Sequence, residues 1–472
     1  MKNLYLFAII ILTCSCNTKP REVVDPNLTK ELSVVTDSII QLISNYHYNP
    51  NELESSEYID LKEQMLSLAK NSNSKDDFID KFNLVWQDGP FSHVRLGKLD
   101  RKAEDMADFI DSLIIGEQGV SLDFNGETAI LSVNTMTGMD TKERISEAYT
   151  KIQDNNSNIL IIDLRNNNGG TFAGVPLVGH LLNDSIDAGV FVSRKWWENN
   201  ERAPSQLDIK KLSPWFEWSI KSFWEDTQEQ PLTRIKFGPF QPHFNGKVYV
   251  LISNKTVSAA EFTVDALSQN EKVTIIGETT AGEMLSQKLY DLPHGYQLGL
   301  PIADYYSLQN GRLEGKGVNP NIRVNQALAM DLATSLINGD SKEVAMAKME
   351  VEMEKLNDTP LKGETLYLMG SMNDWGQSLK NTPQFTYKGD GIYESTITLK
   401  SGKHEFKIAP LGWKFDYGAN SKKEILKIGS KTTLLRQSGS SNLILNVKNE
   451  SELVFSLEVK NPMDAELSVL RK

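Results

Sequence analysis

The chain has 472 residues, of which 40% are apolar and 24% charged, an ordinary globular composition that excludes a mostly disordered or collagen-like protein. The 50 Lys plus Arg against 62 Asp plus Glu leave a net charge of −12, so there is no general attraction for phosphate backbones and nucleic acid is not an expected partner. Both cysteines, Cys14 and Cys16, lie near the start, so the body of the chain has no disulfide, no thiolate nucleophile and no cysteine metal site.

Lys2 precedes an uncharged run from Leu4 to Thr13, too short to span a bilayer but suited to the apolar region of a signal peptide. Ser15-Cys16 at its end resembles a bacterial lipoprotein processing site. Cys16 is the expected lipidated residue, with Cys14 the alternative. Residues 1–16 are thus expected to be a lipoprotein signal, and the protein a cell-envelope lipoprotein (outer membrane or periplasmic face) held at the membrane by several acyl chains. Residues 17–30, with Pro20 and Pro26, read as a tether.

From Glu31 the apolar positions Leu32, Val35, Ile39, Leu42 and Ile43 follow helical spacing, and helical patterns recur at 58–69 and 78–86. Residues 31–92 are expected to be helical. Residues 93–325 alternate short strands (120–122, 128–131, 158–163, 246–253, 273–277) with helices (142–153, 173–182, 259–267), which predicts an α/β core with largely parallel pairing. Residues 194–244 interrupt this rhythm and hold five of the eight tryptophans. This insertion is either a substrate wall or a locally packed excursion. Residues 326–362 read as a helical connector with a break at Asn338-Gly339-Asp340. Residues 363–472 show short strands between Gly, Asn and Asp turns, the pattern of a β-sandwich.

Ser258 follows the strand 246–253 and opens a helix. A serine at such a turn is exposed, and the free N–H groups of a helix start stabilise an anion there. It equally suits a plain helix cap. Asp163-Leu164-Arg165-Asn166-Asn167-Asn168-Gly169-Gly170 runs from a buried strand into paired glycines, which either present N–H groups to an oxyanion or make a tight turn. It is not a phosphate loop, since no Gly-Lys-Ser/Thr follows. His93 after Ser92 is the candidate base, with His294 its rival. Glu314 lies among glycines. No His-Glu-x-x-His occurs, and neither a metal nor a cofactor is expected.

Taken together, the blocks ILIIDLRNNNGG, VLISNKTVSAAEFTVDAL, IIGETTAG and GRLEGKGVNPNIRV resemble the serine peptidase superfamily of C-terminal processing peptidases and tricorn core proteases, over about residues 30–325. The resemblance implies a crotonase-like α/β core and peptide-bond cleavage through an acyl-enzyme. The processing peptidases carry a catalytic lysine after the TAG turn. Here Glu283 follows Thr280-Ala281-Gly282, so the tricorn-type arrangement is implied: Ser258 as nucleophile, His93 as base, Ser92 and Glu314 orienting it. Ala259 with Gly169 or Gly170 would supply oxyanion N–H groups. Pro90-Phe91-Ser92 separates His93 from Asp88-Gly89, a departure from the family pattern. The short segment after His93 also leaves no room for the PDZ domain that many relatives insert there.

LYLMGSMNDWG, GDGIYESTITLKSGKHEFKIA and GWKFDYGAN resemble the starch- and glycogen-binding β-sandwich modules, of Ig-like (E-set) fold. That resemblance implies Trp375 and Trp413 stacking on sugar rings and Lys407 bonding hydroxyls, with Asn442 as a looser fourth contact and an α-glucan as partner. A module that has lost sugar binding and braces the core is the alternative. The expected function is a lipid-anchored serine endopeptidase acting on peptides or proteins. A non-catalytic peptide- or glycan-binding lipoprotein and an esterase-type serine hydrolase are the other readings.

Overall fold

The computed structural model describes residues 25–472 apart from 88, 218, 377–381, 411–412, 414 and 422–423, and apart from the side chain of residue 356. The expected signal segment and Cys16 lie outside the described residues.

The first helix, Pro26–Tyr46, starts earlier than apolar spacing alone indicates. The Asp25 carboxylate accepts the Asn27 N–H at 2.9 Å, and Pro26 is preset for a first helical turn. The last residues of the expected tether are therefore helix. Ser56–Asn71 and Lys75–Gln87 follow. Their apolar faces (Leu32, Val35, Met65, Phe78, Phe82) close over Leu285, Leu298 and Leu300 of the core.

The core holds two sheets. The first runs Ile322–Arg323, Val273–Gly277, Lys247–Ile252, Ile159–Asp163, Thr128–Val133, Val120–Asn125, parallel except for the last hairpin. Helices Met139–Asp154 and Ala259–Leu267 make the crossovers. Both faces are covered, as parallel sheets require. Helices Ala329–Ile337 and Lys342–Asn357, broken at Gly339 (φ 97°), do more than connect: Leu332, Ala333, Ala345 and Met349 pack on Tyr249, Leu251 and Ile276.

The second sheet is organised around the long strand Tyr296–Ser307, which pairs antiparallel with Arg95–Lys98, Ser286–Leu292, Gly311–Arg312 and Ile186–Ser193; the last pairs in turn with Leu232–Phe237. Among the described residues from 194 to 244 are the helices Arg194–Trp197, Gln206–Lys210 and Ile220–Glu229 and the short strand Pro214–Trp215, before the chain returns as this strand. Trp196 and Trp224 are buried, Trp215 packs on Phe172 and Phe223, and Trp218 lies outside the described residues.

Beyond residue 363 the chain is β-rich. Among the described residues ten strands, including Tyr367–Gly370, Ile392–Leu399, Gly402–Ala409, Leu443–Val447, Ser451–Asn461 and Asp464–Arg471, fold round one apolar core that includes Phe406, Tyr417, Phe455 and Leu467. Burial alternates along Ser451–Asn461, as a sheet with one face inward demands.

Candidate active site

The strand Lys247–Ile252 ends in a turn locked to the turn after the neighbouring strand. Thr256 Oγ1 donates to Leu164 O at 2.8 Å, and Ser253 Oγ donates to Arg165 O at 2.5 Å. Two loops from adjacent strand ends are thereby held side by side. Ser258 sits at the tip with φ 54°, a conformation that costs a non-glycine residue about 1–3 kcal/mol and persists only when its surroundings enforce it. The enforcing group is Glu261, fully buried. Its Oε2 accepts the N–H of Ser258 at 3.0 Å and of Glu283 at 2.9 Å; its Oε1 accepts the Thr280 hydroxyl at 2.6 Å and the Gly282 N–H at 2.7 Å. Burial raises the carboxyl pKa, and these four donors oppose that shift. The sequence reading assigned Glu261 no role, although Ser258-x-x-Glu261 is the spacing of a capping box.

Gly169, at φ 83°, lies against the serine: a Cβ there would come within 2.9 Å of Ser258 Cβ and 2.7 Å of Val257 O. Its N–H, however, is already donated to Asn167 Oδ1 at 2.9 Å, while Asn167 Nδ2 donates to Val133 O. Gly169 is therefore the spacer and not the free donor of the pair. The N–H of Gly170 has no acceptor among the described residues, and Gly170 lines the cavity beside Ser258. Ala259 is the first residue of its helix, where an N–H has no intrahelical partner.

The structure brings His93 and Ser92 to the same place. Ser92 Oγ lies 2.6 Å from His93 Nδ1. Glu314 Oε1 accepts the Ser92 N–H at 3.4 Å, and its Oε2 accepts the N–H groups of Met284 at 2.6 Å and Leu285 at 3.2 Å. Glu314 thus reaches the imidazole through Ser92. Burial lowers the His93 pKa to about 4, so the ring is neutral at pH 7. Among the described residues no hydrogen bond joins the Ser258 hydroxyl to the ring, but both side chains line one cavity of about 360 Å³. His294 lies elsewhere, in a turn at φ 62° whose carbonyl accepts from Lys75.

Residues 127–324 match the family model described as Peptidase family S41. That segment is a peptidase family S41 domain. The chain is 24% identical over 186 residues to a carboxyl-terminal-processing protease of Synechocystis sp., covering 39% of this chain and 35% of that protein. It is 22% identical over 198 residues to a carboxy-terminal processing protease of Bacillus subtilis, covering 42% and 34%. The chain thus spans about a third of the length of the curated relatives it matches. A solved photosystem II D1 C-terminal processing protease is similar with TM-score 0.41 and 15% identity, covering 66% of this chain and 99% of that one.

Ser258, Ala259, Gly169, Gly170 and Glu314 fall inside the S41 match, whereas Ser92 and His93 precede it. The C-terminal candidates follow it. Trp375 and Trp413 approach to 6.2 Å between ring centroids at 47°, and Lys407 Nζ is 5.9 Å from the Trp413 ring. Both tryptophans are half-buried and have positive φ, 57° and 54°. Lys407 pairs with buried Asp416 at 3.4 Å, and Asn442 Nδ2 donates to Glu405.

Proposed function

We propose that the chain is a serine endopeptidase that cleaves peptide bonds in polypeptides. The observation that carries this reading is that Ser258 and His93 line one cavity, with Ser92 bonded to the ring and Glu314 bonded to Ser92. Ser258 Oγ attacks the substrate carbonyl carbon and His93 takes its proton. The N–H groups of Gly170 and Ala259 receive the oxyanion. His93 then protonates the leaving amine, and water hydrolyses the acyl-enzyme by the reverse proton path. Ser92 and Glu314 hold the imidazole in place. We read the two-sheet core as crotonase-like and the C-terminal strands as an Ig-like sandwich.

A fluorophosphonate probe tests the chemistry. It labels the wild type at Ser258 and leaves Ser258→Ala unlabelled; an unlabelled wild type removes the proposal. Turnover of peptide bonds establishes a peptidase, whereas turnover of matched esters with none of the peptides points to an esterase. The missing hydroxyl–imidazole bond favours a second reading, a peptide-binding scaffold without catalysis. Hydrogen bonds of this kind often form only with substrate bound, so the first reading is retained.

Two accessory properties complete the reading: a lipid anchor on Cys16 at the cell envelope, and α-glucan binding by Trp375, Lys407 and Trp413. The close approach of the two indole rings beside a lysine supports the latter. Retardation in glucan-containing gels that is lost in Trp413→Ala, and fatty-acid labelling that is lost in Cys16→Ser, are the expected results.

A further inference from the structure

We propose that the cavity beside Ser258 receives one large apolar side chain of the substrate, and that the helix Ile220–Glu229 determines which side chain it takes. The inference rests on the reading of Ser258 as the group that meets the substrate. Four of the lining side chains are Phe172, Phe191, Phe223 and Phe262, each buried. Their rings brace one another: Phe172 and Phe223 lie 4.9 Å apart, Phe191 and Phe223 4.7 Å, Phe172 and Phe262 5.8 Å. A wall of interlocked rings keeps the cavity open and shaped before anything binds. Its volume of about 360 Å³ suits one aromatic or long aliphatic side chain.

Apart from the neutral imidazole, no titratable side chain lines this cavity among the described residues. A lysine, a glutamate or a free α-carboxylate entering it would lose its water and find no counter-charge. An aromatic ring would instead bury about 150–250 Å² of surface against other rings. The side chain received is therefore bulky and uncharged.

Ile220, Phe223 and Trp224 all line the cavity, at positions i, i+3 and i+4 of one helix face. This helix lies outside the parallel sheet that carries Ser258. It is seated from another direction. Asp111, on helix Ala103–Ser112, accepts the Ser219 hydroxyl at 2.8 Å and the Ile220 N–H at 3.0 Å, and Asp108 pairs with Lys221 at 2.8 Å. The tryptophan-rich insertion is thus both substrate wall and packed core.

Calorimetry with the full-length Ser258→Ala protein and blocked tripeptides Ac-Ala-Ala-Xaa-amide tests this without turnover. Xaa = Phe should bind at least tenfold more tightly than Ala, and Lys and Glu should not bind detectably. Ile220→Phe, which fills the cavity, should cut the Phe-over-Ala preference at least tenfold. Trp224→Ala is the second variant, expected to weaken the Phe peptide about tenfold while leaving the Ala peptide within twofold. Equal binding of Phe, Ala and Lys peptides, or a preference unmoved by both wall variants, overturns the proposal. Because binding is read without catalysis, failure of Ser258 labelling in the wild type counts against the hydrolase reading and leaves this test standing.

Discussion

The side-chain amide of Gln287 donates to the main-chain carbonyl of His93 at 2.9 Å. His93 has φ 63°, so its backbone needs such an external tie. Gln287 can lie there only because residue 299, on the neighbouring strand, is glycine: a Cβ at that position would come within 1.9 Å of the Gln287 amide nitrogen.

Gln287→Ala should therefore slow fluorophosphonate labelling of Ser258 about fivefold, the usual scale for one lost hydrogen bond of about 1 kcal/mol. Gly299→Ala should act through the same contact. The double variant should be no slower than the worse single one, whereas independent effects would multiply. Labelling kinetics of the three proteins decide between these.

The pH dependence should be displaced to the acid side. Burial lowers His93 to about 4 from its ordinary 6.5, and the ring acts as a base only when neutral. Labelling should stay flat as pH falls towards about 5 and drop with a midpoint near 4. A midpoint near 6.5 contradicts the burial seen here.

His47 gives the stability counterpart. It is fully buried, and desolvation lowers its pKa to about 3. Its folded-state pKa lies below the unfolded value, so its contribution is whole above pH 6.5 and is lost as pH falls towards 3. Thermal melts should show wild type losing stability relative to His47→Gln across that window and matching its trend above it.

Glu261→Gln should be costly although it is nearly isosteric. Each carboxylate oxygen accepts two donors, so whichever way the amide turns, its NH₂ faces two donors. A loss of about 2–4 kcal/mol in urea unfolding is expected, together with lost labelling, because the Ser258 backbone is no longer held.

Ala259→Pro should separate oxyanion binding from folding. Proline is tolerated at the first position of a helix and removes one N–H. Labelling should fall about 10²–10³-fold with the far-ultraviolet circular dichroism retained. An unchanged rate would remove Ala259 from the oxyanion hole.

What the sequence carries about this site is uneven. Ser258 and the paired glycines are readable because each follows a buried apolar strand, and Glu314 because it lies among glycines. The helix Ala259–Leu267 and the strand Val273–Gly277 have the expected bounds. The second sheet is not readable in the same way. Tyr296–Ser307 is buried on both faces, so it shows no alternation, and Pro301 within it argues against a strand. The roles of Gln287 and Asp111 are equally hidden, since each acts on a residue far away in the chain: 194 positions for Gln287 and His93, 109 for Asp111 and Ile220. The choice between Gly169 and Gly170 depends on one buried Asn167 side chain, which the Asn-x-Gly spacing of a local turn signals weakly.

Ser92 and Glu314 meet across 222 residues. During synthesis Ser258 emerges before Glu314, and Ser92 has no carboxylate to hold its N–H until the chain beyond the strand Tyr296–Ser307 has been made. A chain cut before Glu314 therefore lacks the carboxylate that accepts the Ser92 N–H beside the imidazole. Assembly of this pair waits until both ends of the region have been made and folded together.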